Sequence, residues 1–180
     1  MKKLKHILFL FLILIISNSC RPTNNNSKTE DLFEPYNNII DVQFKGWHIL
    51  KLGELNTDDI KLWKQNRGEN MTPGMAKGKY ESKEEMVALL IVSEINRQKK
   101  VKLILLKNNV ADTPIKILRE ENVFNYPVIY SLPPAKYNDF YDTTKYIDTK
   151  NDCIAYEHIE ASTIIYYYDK EKYIELVYSD

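Results

Sequence analysis

The sequence predicts an α+β fold: a single domain, mainly antiparallel sheet, with one or two short helices. Three observations carry that expectation. The chain closes with three short runs rich in β-branched and aromatic residues, Cys153 to Ile159, Thr163 to Tyr168 and Lys172 to Tyr178. Two further apolar runs, Met86 to Ile95 and Val101 to Leu106, flank the polar Arg97-Gln98-Lys99-Lys100 as the arms of a hairpin would. Only the segment 57–68 carries a full set of helix signals. Size and composition agree: 180 residues, 44% apolar and 12% aromatic, with 5 Gly and 2 Cys, exclude a collagen-like, disulfide-stapled or highly charged disordered chain.

Taken in order, the chain opens with Lys2, Lys3 and Lys5, followed by an unbroken apolar run of ten residues from Ile7 to Ile16. Ten helical residues rise about 15 Å, half of the roughly 30 Å hydrocarbon core, so residues 1–19 read as a secretory signal and not as a membrane span. Ser17-Asn18-Ser19-Cys20 then resembles the lipobox of bacterial lipoproteins, with Ser standing where Leu or Val is commoner. The resemblance implies acylation (palmitate) at Cys20 after cleavage, and hence a lipid anchor in the bacterial cell envelope. Arg21 stands where many inner-membrane lipoproteins carry Asp, which favours the outer membrane facing the periplasm. The alternative is a soluble exported protein with Cys20 near an ordinary cleavage site. Against it stand the short apolar run, the cysteine directly behind it and the segment that follows. Arg21 to Glu30 (RPTNNNSKTE) has no aliphatic or aromatic residue, so 20–31 reads as a flexible tether. At about 0.8 kcal/mol per buried methylene, several acyl chains would hold such a protein in the bilayer almost permanently.

Without the signal the chain keeps 22 basic and 25 acidic residues. A weakly acidic chain with no basic stripe lacks the electrostatic footprint of a nucleic-acid binder. With Cys20 acylated, Cys153 has no disulfide partner, and the domain over 32–180 depends on a hydrophobic core.

Within that domain, Trp47 to Leu52 reads as a strand. A helix follows, with Thr57 as N-cap, Asp58 and Asp59 at the positive end of the dipole, Ile60 and Trp63 on one face, and Gly68 as terminator. Residues 69–81 read as an ordered loop leading into a strand. Ser82 and Glu85 form a capping-box pattern that argues for a helix over Met86 to Ile95, but the hairpin partner at Val101 to Leu106 favours a strand. Thr113 to Glu121 fits a short helix or a strand, and Val128 to Leu132 a strand stopped by Pro133-Pro134. Residues 133–152 lack periodicity and form a long loop. Asp169-Lys170-Glu171 supplies the last turn.

Chemical motifs are few. Cys153 and His158 lie five residues apart, which on a strand places them on opposite faces and argues against a cysteine nucleophile. Asp148 to Asp152 has Lys150 and Cys153 where a calcium loop needs an oxygen ligand and Gly. Gly74 to Lys79 has neither the spacing nor the hydroxyl of a Walker loop. Glu84-Glu85, Glu120-Glu121 and Glu157 with Glu160 read as solvated charge. No catalytic residue, cofactor or metal site is therefore expected.

Tyrosine is the skewed residue, with 11 of 13 from Tyr126 onward. Strand propensity and packing explain such a bias; an aromatic recognition surface for a protein or glycan is the functional alternative. Tyr137, Phe140, Tyr141 and Tyr146, in the long loop with Asp139 and Asp142, are the candidate binding residues.

Pro73 to Tyr80 (PGMAKGKY) followed by Met86 to Leu90, and Ile164 to Tyr168 followed by Lys172-Tyr173 and Ser179-Asp180, resemble an uncharacterised group of small secreted bacterial proteins. In that group a PGxAxGx(F/Y) turn feeds a strand and a KY…SD hairpin ends the chain. The resemblance implies a shared antiparallel core and brings no activity with it. Sequence thus favours a non-catalytic, membrane-anchored binding module, with inhibitor or immunity-like action as its specific form. The alternatives are an envelope hydrolase or carbohydrate-active enzyme whose acidic residues converge only in three dimensions, and a passive component of an envelope assembly.

Overall fold

A computed structural model describes residues 27–68, 71–107 and 114–178. The signal over 1–19, Cys20, residues 21–26 of the tether and the Ser179-Asp180 ending lie outside the described residues. The fold is α+β, and residues Leu32–Asp180 form one compact unit.

The longest hairpin anchors the first sheet. Strand β3 (Met86–Ile95) pairs with β4 (Gln98–Lys107) from Met86↔Lys107 to Ile95↔Gln98. Met86 to Ser93 are buried without alternation because both faces of β3 are covered, so this strand shows no period of two. The turn is the two residues Asn96 (φ 53°) and Arg97 (φ 65°), a left-handed pair whose twist suits a tight hairpin. The expected four-residue connection is thereby shortened, and Gln98, Lys99 and Lys100 belong to β4. Ser82 accepts the Glu84 N–H at 3.2 Å, so its hydroxyl closes a local turn and caps no helix.

Two short strands lie end to end along the other side of β3. Strand β1 (His48–Ile49) pairs with Val92 and Ile91, and β2 (Met75–Gly78) continues from Leu89 to Met86. At their junction Leu50 N–H donates to Leu90 O and Leu90 N–H to Gly74 O, both at 2.9 Å. A Cβ on Gly74 would lie 2.3 Å from Leu50 O, so only glycine permits this approach. β2 falls within the stretch expected to be loop. The strand expected over Trp47 to Leu52 pairs over two residues only, because Leu52–Glu54 turns as a 3-10 helix.

The excursion between β1 and β2 carries a helix over Thr57–Arg67. Its N-cap is Asn56, one residue before the expected Thr57: Asn56 Oδ1 accepts the Asp58 and Asp59 N–H groups at 3.0 and 2.9 Å. Trp63 is its buried residue and Gly68 (φ 88°) ends it. Strand β5 (Lys116–Val123) completes the sheet beside β4, which settles Thr113 to Glu121 as strand from Lys116 onward. A register shift leaves Leu118 as an extra residue between Arg119↔Leu103 and Ile117↔Ile104.

A helix that the sequence did not announce, α1 (Ser27–Gln43), begins inside the segment read as a tether. Phe33, Tyr36 and Ile40 form one stripe, packed with Val87, Leu89, Ile91, Ile104 and Leu106 on the outer face of the first sheet. Following α1 along the chain, the Thr57–Arg67 helix is α2.

The second sheet has the order β11-β10-β9-β6, formed by β6 (Val128–Leu132), β9 (Cys153–His158), β10 (Ser162–Asp169) and β11 (Lys172–Tyr178). Its inner face brings Ile154, Tyr156 and Tyr166 against Ala88, Leu90, Val101 and Leu103 of the first sheet. Ile129 N–H donates to Pro73 O at 2.9 Å and ties the two sheets together along one side. On the outer face, Cys153, Ile165 and Leu176 are covered by a small hairpin, β7 (Lys136–Asn138) and β8 (Tyr146–Asp148). The segment 133–152 is thus a covering layer, not a structureless loop.

Candidate functional site

Opposite the Pro73–Ile129 link, β5 faces β9, β10 and β11 across the inter-sheet core. Arg119 and Glu121 stand two residues apart on β5, so both side chains point at the second sheet; Tyr156 and His158 do the same from β9. Arg119 Nη2 donates to Glu121 Oε2 at 2.7 Å and Nη1 to Tyr166 Oη at 3.3 Å, with Glu175 Oε2 at 3.6 Å. Tyr156 Oη donates to Glu121 Oε1 at 2.5 Å, and His158 Nε2 stands 3.5 Å from the same oxygen. Tyr166 and Glu175 are register partners, which is why both reach Arg119.

Two carboxylates therefore converge, and a guanidinium lies between them. Burial opposes charge on Glu121, but hydrogen bonds from Arg119 and Tyr156 outweigh it and hold its carboxyl below the usual carboxylate range. Burial and the bond to Glu121 push the Tyr156 hydroxyl far up, and burial raises that of Tyr166. General acid catalysis needs a carboxyl raised toward neutrality, the opposite of what Glu121 has. Tyr156 and Tyr166 are 0% and 1% exposed, and the bonded groups are spent on one another. Chemically, the cluster is an ionic clasp that closes the open side of the two-sheet sandwich. Sequence reading placed Glu120 and Glu121 together as surface charge. That is correct for Glu120, a half-exposed side chain bonded to Lys102 Nζ at 2.6 Å, and incorrect for Glu121.

The aromatic candidates divide. Tyr137 is 7% exposed, buried with Cys153, Ile165 and Leu176, edge-on to Tyr178, its hydroxyl donating to Pro133 O. Burial pushes its hydroxyl up to about 12. Tyr137 is core, because the β7–β8 hairpin turns its central residues inward onto the second sheet, and its place in a binding surface is withdrawn. Phe140, Tyr141 and Tyr146 are 55%, 80% and 56% exposed. Phe140 and Tyr141 meet edge to face at 5.2 Å, and Lys136 Nζ sits 3.6 Å from the centre of the Tyr146 ring.

The loop presenting them is fixed by its own polar residues. Asp139 Oδ1 accepts the N–H groups of Tyr141 and Asp142, both at 2.9 Å. Asp142 Oδ1 accepts from Thr144 Oγ1 at 2.6 Å and Thr144 N–H at 3.1 Å, and its other oxygen pairs with Lys145 Nζ at 3.1 Å. Those contacts, the Thr144 hydroxyl first, hold the Asp142 carboxyl below its ordinary value. Phe140 N–H donates to Val177 O at 2.9 Å, tying the loop to β11. The backbone at Phe140 and Tyr141 is thus held by short-range hydrogen bonds, and Tyr146 lies on β8 opposite Asn138.

Other motifs have structural duties. Cys153 is buried among apolar side chains, its thiol pushed up by burial, on the sheet face opposite His158. Asp152 accepts the Lys79 N–H at 2.7 Å. A Cβ on Gly78 would meet the Tyr80 ring, Ser131 Oγ and Asp152 within 3.0 Å, so the glycine of the Pro73 to Tyr80 stretch serves packing. Among the described residues no group of three or more His, Cys, Asp or Glu side chains could hold a metal ion. No helix among them is long and apolar enough to cross a membrane. A shallow hollow open to solvent lies beside α2 and is lined by Trp63, Asn66, Arg67 and Glu157 among others. Arg67, in its wall, is bonded to Glu157 at 3.3 Å and stacked 3.6 Å from the centre of the Tyr130 ring. Against known proteins, no family model, no curated sequence and no solved structure matches this chain.

Proposed function

We propose that this is a lipid-anchored protein of the bacterial cell envelope whose domain is a non-catalytic binding module, with inhibitor or immunity-like action as its specific form. The anchor is the acylated Cys20, and the outer membrane facing the periplasm is the expected location. The observation that carries the binding role is the exposed pair Phe140 and Tyr141 on a loop whose backbone is fixed by Asp139 and Asp142, with the exposed Tyr146 at the start of β8. Large aromatic area presented at low entropic cost suits recognition of a protein or glycan. No nucleic acid is expected. Affinity purification after in-cell cross-linking tests the proposal. A stoichiometric partner is expected with the anchored protein, lost on Cys20→Ala and on Phe140→Ala with Tyr141→Ala. Capture unchanged by the loop substitutions removes the loop from the account.

A second reading, an envelope hydrolase or carbohydrate-active enzyme, rests on acidic residues converging in three dimensions; Glu121 and Glu175 do converge on Arg119, but bonded there and with Glu121 held ionised. Hydrolysis of a cell-wall or glycan substrate that vanishes in Glu121→Gln and Glu175→Gln would establish it. A third, a passive envelope component, requires constant stoichiometry with an assembly.

A further inference from the structure

At the end of the first sheet formed by the β3–β4 turn, two apolar side chains stand in solvent. Phe124 is 98% exposed and Ile95 is 55% exposed. The register brings them to the same end of the sheet: Ile95 pairs with Gln98, and Lys99 pairs with Val123, the residue before Phe124. The same end carries Arg97 at the turn, Lys99 and Lys100. None of these three cations is in an ion pair among the described residues, although Lys99 Nζ lies 4.7 Å from the Tyr126 ring. Glu94 is the acid opposite Lys99, Glu54 near Tyr126 is bonded to His48, and Glu120 and Glu121 are bonded to Lys102 and Arg119, so the three cations of the patch outnumber its one unbonded acid among the described residues.

We infer that this end of the sheet docks on a membrane surface rich in anionic lipid headgroups, with Ile95 and Phe124 entering the interfacial region while Arg97, Lys99 and Lys100 meet phosphates. Charge complementarity selects that occupant. Protein interface cores are depleted in Lys, whereas Phe and aliphatic side chains flanked by Lys and Arg match the interface of an anionic bilayer. Each cation near such a surface strengthens binding about fivefold, and the strengthening is screened by salt. The patch uses none of the residues of the aromatic loop, so it stands or falls independently of the binding role proposed above.

The test is flotation of the unlipidated polypeptide from residue 21 onward with vesicles of phosphatidylcholine, with and without phosphatidylglycerol. Binding at least about tenfold stronger to the anionic vesicles is expected, weakening as salt is raised. Ile95→Ser with Phe124→Ser, and separately Arg97→Glu with Lys100→Glu, lose it while circular dichroism and melting temperature stay unchanged. The inference is overturned if the wild-type protein remains unbound, if both double variants bind as it does, or if the patch captures an acidic protein but no vesicle.

Discussion

Arg119→Ala removes the centre of the ionic clasp and leaves the Glu121 carboxylate with only Tyr156 and His158 nearby. A hydrogen bond to a charged group contributes about 1.5–3 kcal/mol, and breaking a buried ion pair costs about 3–5. Arg119 and Glu121 side chains are 25% and 24% exposed, so water recovers part of the loss and about 2–3 kcal/mol of destabilisation is expected. For a domain of this size that lowers the melting temperature by roughly 5–10 °C. Urea and thermal unfolding of the unlipidated polypeptide measure it directly. The acid limb supplies a second signature. Glu121 has its folded-state carboxyl held below the ordinary 4.5, so its stabilising contribution is present above 4.5 and is lost as pH falls below that value. Arg119→Ala should therefore shrink the stability lost on acidification. Arg119→Met with Glu121→Leu, which removes both charges and keeps volume, should recover most of the stability. A single variant within about 0.5 kcal/mol of wild type, the scatter of ordinary surface changes, would refute the clasp.

Three further outcomes follow from the geometry. Gly74→Ala places a methyl group 2.3 Å from Leu50 O, against backbone that cannot move without parting β1 from β2, and should cost at least about 3 kcal/mol or prevent folding, as read by urea denaturation; wild-type stability would show that the junction relaxes. Tyr137→Ala should destabilise by about 3–5 kcal/mol and Tyr141→Ala by less than about 0.5, so equal melting temperatures would contradict the division between core and surface. His48, raised above 6.5 mainly by its hydrogen bond to Glu54 at 2.6 Å, stabilises fully below 6.5 and loses that contribution as pH rises through its folded value. In an NMR titration its midpoint should lie above 6.5 and fall in Glu54→Gln; an unchanged midpoint would remove the pair.

Sequence is most informative where an element is decided by its own residues. The runs ending in His158, Asp169 and Tyr178 are strands because short apolar segments are punctuated by turn residues, and the Asn56 to Gly68 helix carries both its caps. It is least informative where an element is held by something distant. β2 is four residues containing an exposed Lys77 and Gly78, and pairing with β3 makes it a strand. The Phe33, Tyr36 and Ile40 stripe of α1 is interrupted by Pro35, a residue that ordinarily argues against a helix interior, and packing on the first sheet overrides that preference. The clasp joins residues 35 to 56 positions apart, and no local pattern distinguishes Glu121 from its solvated neighbour Glu120. Tyr137 and Tyr141 look alike in sequence, and the small hairpin turns one inward and leaves the other out.

The central claim is that an anchored domain meets its partner through the loop around Tyr141. Its most direct test is a photo-crosslinking amino acid installed in living cells at Tyr141 and, as a control, at Val42, which is 83% exposed on α1. The account predicts one discrete adduct from position 141, absent at position 42 and absent when Cys20→Ala releases the protein from the membrane. No adduct at 141, or the same adducts from both positions, would contradict it.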